Sequence, residues 1–126
     1  MTLVLDAGAF VALERGSREM ARRLKMARLE GDVPISHGGV IAQVWRGGAG
    51  RQAGLAKALQ GVRIAPLDDK LGRRAGVLLG RAGMRDAVDA AVVALARDDD
   101  AILTSDRDDI SALVTAYGTR VDIVPV

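Results

Sequence analysis

Five short apolar runs, at 2–6, 33–36, 62–67, 101–106 and 121–126, alternate along this chain with longer segments of helical spacing, and that alternation restricts the fold more than any other feature. Runs this short, rich in Val, Ile and Leu, read as strands covered on both faces. The segments between them read as helices with identifiable ends. AFVALERG stops at Gly16, and Ser17 is placed to cap a helix from Arg18 to about Glu30 whose apolar stripe is Met20, Leu24 and Ala27. GGVIAQVWRGG at 38–48 reads as a helix ending at Gly47–Gly48, and 51–60 as its resumption. Asp68 can cap a helix through Ala82, with Val77 and Leu78 facing inward and Gly83 breaking it. Residues 86–97 carry the cleanest stripe, Val88, Ala91, Val92 and Leu95, and 108–118 form a last helix closed by Gly118. Strands alternating with helices predict a parallel sheet covered on both faces. With 126 residues, no repeat and no linker, the whole chain is expected to form one domain, 1–126.

Composition removes several chemistries. There is no cysteine, which excludes disulfides and thiolate metal sites. His37 is the only histidine, so neither a two-histidine acid/base pair nor a multi-histidine zinc site can form within one chain, and His37 beside a turn reads as structural or exposed. The glycines at 47, 48, 50 and 54 lack the ending of a phosphate loop and read as helix punctuation. No apolar run reaches membrane-spanning length. MTLVLDAGAF has neither the basic nor the long apolar stretch of a secretory signal, so the expectation is a cytoplasmic protein away from membranes.

Carboxylates remain. Asp6 ends the first strand and Asp106 follows the fourth, and ligands of open α/β sheets bind outside the carboxyl ends of strands. Asp86 and Asp89 share one face of a helix's first turn, where the dipole favours ionised acids. Taken singly, Asp6 and Asp106 also suit the capping of the helices that follow. Asp86 is favoured as a cap, Asp108 and Asp109 can cap a helix from Ile110, and Asp98–Asp100 read as a solvated loop. Asp6, Asp89 and Asp106 together are harder to assign to capping, because two strand ends and one helix start would converge. A hard cation would relieve the cost of carboxylates set against such apolar segments.

These are also the residues that carry a family likeness. VLDAGAF, DAAVVALA at 89–96 and LTSDRDD at 103–109 resemble the three acidic blocks of PIN-domain ribonucleases, above all the VapC-type toxins of bacterial toxin–antitoxin pairs. The resemblance covers the full length and implies a PIN-like three-layer α/β/α sandwich around a mainly parallel sheet of 4–5 strands. It implies Mg²⁺ or Mn²⁺ held by Asp6, Asp89 and Asp106, with Asp109 as an additional acid. It also implies an RNA substrate, an antitoxin protein as partner and a homodimer. In the helix after the second strand, where the family usually has a glutamate, this chain has Gln43. An amide offers a metal an oxygen without a charge, which lowers metal affinity.

Charge is segregated. Residues 1–85 carry a balance of +8 and residues 86–126 one of −6, which suits a polyanion held over an acidic pocket as well as it suits ordinary solvated helix faces. Arg46 and Arg51 are candidate contacts to an RNA backbone. Trp45, Tyr117 and Phe10 are the only aromatics, too few for extended base stacking, and Trp45 reads as core or interface. Two rivals stand beside the nuclease. One is a PIN-like module that binds RNA or protein and cleaves weakly because of Gln43. The other is a phosphatase-like or phospho-acceptor domain, disfavoured because no second acid follows Asp6 by two residues.

Overall fold

The computed structural model describes all 126 residues. Five strands, β1 (Leu3–Leu5), β2 (Ile35–His37), β3 (Arg63–Ala65), β4 (Ala101–Thr104) and β5 (Asp122–Pro125), pair in the order β3-β2-β1-β4-β5, and every pairing is parallel. Seven helices connect them: α1 (Ala7–Glu14), α2 (Arg18–Leu29), α3 (Gly38–Val44), α4 (Ala53–Leu59), α5 (Asp69–Ala82), α6 (Ala87–Leu95) and α7 (Arg107–Tyr117). From β1 the chain steps outward through β2 to β3, then returns past β1 to β4 and steps the other way to β5. Right-handed crossovers therefore send the helices before β3 to one face and those after it to the other. The packing agrees, with α1 against α2, α3 and α4, and with α5, α6 and α7 against one another. This is a three-layer α/β/α sandwich with an all-parallel sheet.

The core explains the short strands. β1 and β4 are buried along their whole length, as expected of central strands covered on both faces. The five residues Ala90–Ala94 of α6 are also buried, so this helix is interior all round rather than along one stripe. Met20, Leu24 and Ala27 of α2 face the core as their spacing predicts. Ser17, Asp68 and Asp86 cap α2, α5 and α6 through side-chain oxygens, and Gly83 and Gly118 end α5 and α7 in the left-handed conformation.

Several expectations need correction. The inward stripe of α5 is Leu71, Ala75 and Leu78, while Val77 is 58% exposed on the opposite side. The helix after β2 ends at Val44 rather than at the glycine pair. The buried Gln52 side chain takes over there, donating to the Val44 carbonyl at 2.7 Å and accepting from the Arg46 and Gly48 N–H groups at 2.7 and 3.2 Å. Trp45 is not core. It is partly exposed and lies over Gly48, where a Cβ would sit 2.3 Å from its Cη2. Asp108 and Asp109 lie within the first turn of α7 instead of capping it. The run Asp98–Asp100 is not simply solvated. Asp100 is buried, and its two oxygens accept from the N–H groups of Thr2 and Arg97 at 2.9 Å each, clasping the loop to the start of the sheet.

Candidate metal centre at the switch point of the sheet

Because β1 leads one way across the sheet and β4 the other, helices α1 and α7 leave their carboxyl ends toward opposite faces. A crevice opens between them, at the place where parallel α/β sheets bind ligands. Asp6 immediately follows β1, and Asp106 follows β4 after Ser105.

Asp6 is 4% exposed. Its Oδ1 accepts from the Ala9 N–H at 3.1 Å, capping α1, and its Oδ2 accepts from the Thr104 hydroxyl. Burial pushes the Asp6 pKa up, and the Thr104 hydroxyl and the N–H groups of Ala9, Gly8 and Ser105 pull it back. The Thr104 oxygen also accepts from the Asp106 N–H at 2.9 Å. Asp106 stands at the N-cap position of α7, yet its carboxylate makes no capping bond. It is exposed and free to face the crevice.

The third wall is the start of α6, which packs across β1 and β2. His37 holds it there. The ring is fully buried, its Nδ1 accepts from the Gly39 N–H at 3.0 Å, and its Nε2 donates to the Val88 carbonyl at 2.9 Å. Burial lowers the His37 pKa, which suits the neutral tautomer this pattern requires. Asp89 follows Val88 directly. Its carboxyl is half-buried and its pKa rises to about 7, through burial first and then the charges of Asp86, Asp106, Asp6 and Asp109. Asp109, in the first turn of α7, also has a raised pKa, chiefly because of the Asp106 charge beside it.

Asp89, Asp106 and Asp109 each present an oxygen within 4.8 Å of the other two. None of these acids, nor Asp6, has an ion-pair partner; the acids in the molecule's salt bridges are Glu19, Asp69, Asp98 and Asp99. Opposite oxygens around Mg²⁺ stand about 4.2 Å apart, so a small contraction of this set would close on the ion. An all-oxygen, anionic and self-repelling donor set fits a hard divalent cation.

Of the residues singled out in the sequence, the fold thus gathers Asp89, Asp106 and Asp109, with Asp6 behind them and tied to the same loop by Thr104. Gln43 is exposed on α3, outside that trio. Arg46 turns its Nη1 back onto the Ala42 and Trp45 carbonyls at 3.2 and 2.7 Å, whereas Arg51 is exposed in a short 3₁₀ turn before α4. Sequence reasoning missed Thr104. Its signal was a hydroxyl two residues before a strand-end acid, which acquires meaning only once β4 is known to lie beside β1. Gly8 was missed as well: a Cβ there would lie 2.2 Å from Ser105 Oγ, so a glycine lets the first turn of α1 close against the loop after β4.

No family model and no curated protein matches the chain. Among solved structures, a chain in the crystal structure of VapBC2 from Rickettsia felis bound to a DNA fragment from their promoter is similar, with a TM-score of 0.67 and 13% identity over 98% of each chain. At that identity the likeness is one of fold. The chain has a PIN-like α/β/α fold, shared over nearly its whole length with that VapBC2 chain.

Proposed function

We propose that the chain is a metal-dependent endoribonuclease acting as the toxin of a type II toxin–antitoxin pair. The observation that carries this reading is the set of three carboxylates within 4.8 Å of one another, with no cationic side chain paired to them, at the switch point of a PIN-like sheet. Asp89, Asp106 and Asp109 would hold Mg²⁺ or Mn²⁺, with Asp6 adding its charge from behind. Bound there, the ion lowers the pKa of a water and stabilises charge on a phosphodiester. Asp6, through Thr104, fixes the loop that carries Asp106, and His37 fixes the turn that carries Asp89. The positive balance of residues 1–85 supplies charge for the RNA backbone, with exposed Arg51 better disposed to it than Arg46. An antitoxin protein and a second copy of the chain are the partners that accompany this reading, and the cytoplasm is its compartment. No helix is long and apolar enough to cross a membrane.

Gln43 supports a second reading, an RNA- or protein-binding module with weak cleavage, since the exposed amide on α3 brings no charge to the crevice. Incubating purified protein with structured RNAs in Mn²⁺, Mg²⁺ or EDTA, beside Asp6→Asn and Gln43→Glu, separates the two. Metal-dependent cleavage lost in Asp6→Asn supports the nuclease, and a faster Gln43→Glu measures the missing charge. RNA or partner binding with no cleavage in any metal favours the module.

A further inference from the structure

A second charged site lies at the opposite end of the sheet. A cavity of about 320 Å³ opens where the strands begin, beneath the C-terminal end of α6. Arg63 of β3, Arg74 of α5 and Arg97 after α6 line it, with Asp100, Thr2 and Leu95. None of the three guanidinium groups pairs with a carboxylate; the arginines in ion pairs are Arg22, Arg23, Arg73 and Arg120. Arg74 is held in place, its Nη2 donating to the Ala94 carbonyl and to the Tyr117 hydroxyl, which leaves its other N–H groups unclaimed. The only acid in the wall is Asp100, and each of its oxygens already accepts a backbone N–H, from Thr2 and from Arg97. The lining therefore carries a balance of +2 around a space at the lower end of the range for small-ligand sites.

We infer that this cavity binds a phosphomonoester group. The dianion of such a group matches the balance of the wall, which a singly charged backbone phosphodiester does not. Guanidinium forks are the side chains best shaped for phosphate oxygens. Val33, Ile35 and Leu95 supply the apolar part of the lining for the portion of the ligand next to the phosphate. The group can come from a free mononucleotide or from the 5′ end of an RNA. The inference is independent of the nuclease reading, because the cavity and the acidic crevice lie at opposite ends of the strands.

Calorimetry in EDTA and phosphate-free buffer tests it, with AMP, adenosine, and a short RNA bearing either a 5′-phosphate or a 5′-hydroxyl. The site predicts that AMP binds and adenosine does not, and that Arg63→Gln and Arg97→Gln each weaken AMP about tenfold or more, the loss of one charge-assisted contact. Arg18→Gln with Lys25→Gln, which removes twice as much charge from the exposed face of α2 as either single variant removes from the cavity, should leave AMP affinity unchanged. Thermal melting confirms that each variant is folded. Tighter binding of the 5′-phosphorylated RNA than of AMP identifies the RNA end as the source, and the reverse identifies the free nucleotide. No AMP binding up to millimolar concentration, or equal weakening by the α2 substitutions, overturns the site.

Discussion

Thr104 and Asp6 are joined side chain to side chain across β4 and β1, and the same hydroxyl accepts from the Asp106 N–H at 2.9 Å, so one threonine connects the acids that end both central strands. Replacing it with valine keeps the shape and removes both bonds. The buried Asp6 carboxylate then loses a partner, which costs about 1–3 kcal/mol. Urea denaturation should show that loss in Thr104→Val and its recovery in Thr104→Ser. A valine variant as stable as the native chain would show that the link carries no weight.

Gly8 meets Ser105 too closely for any side chain. In Gly8→Ala the loop after β4 must move away from α1, carrying Asp106 with it. Overpacking of this kind costs about 1–3 kcal/mol. Ser105→Gly clears the Oγ and Cβ but leaves the Ser105 backbone N 2.8 Å from the new Cβ. Gly8→Ala with Ser105→Gly should therefore recover part of the loss, and no recovery at all would show that the Ser105 side chain is not its cause.

Asp89 sets a pH dependence of definite sign. Its pKa rises from 3.8 to about 7 in the folded chain, so the native state binds more protons than the unfolded state between those values. Stability without metal therefore falls as pH rises through that window, and the destabilising contribution is complete above it. Asp89→Asn should melt at a higher temperature than the native chain at pH 8 in EDTA and show no advantage at pH 4. Added Mn²⁺ should narrow the difference at pH 8 by stabilising the native chain more than the variant.

His37 acts in the opposite direction. Its pKa lies below the ordinary 6.5 because the ring is buried, so the stability it contributes is present above that value and lost as pH falls below it. Protonation also removes the acceptor for the Gly39 N–H. His37→Gln should flatten the acid limb of the stability profile below pH 6.5, while an unchanged limb would assign it to other groups.

Much of this was legible in the sequence because it depends on local rules. Strand-end acids, the caps at Ser17, Asp68 and Asp86, and the glycine stops at Gly83 and Gly118 are written within a few residues of where they act. What the sequence hid depends on residues far apart. The strand order brings β4 beside β1, and only then does Thr104 meet Asp6. Asp100 looked solvated because it ends a run of three acids, but the loop turns through Asp99 at a φ of 71° and puts the third carboxylate inside. The early end of α3 depends on Gln52, whose side chain replaces the next turn of backbone bonding. On α5, Val77 and Leu78 are neighbours in sequence, and only packing against α6 and α7 decides which of them is buried.

The proposed ribonuclease requires a divalent cation in the crevice between α1 and α7. Calorimetric titration of Mn²⁺ into metal-free protein at pH 8, native beside Asp106→Asn and Asp89→Asn, tests it most directly. Saturable binding in the native chain, weakened at least tenfold in both variants, is the predicted result. Mn²⁺ affinity equal in all three proteins, or no binding in the native chain, would contradict it.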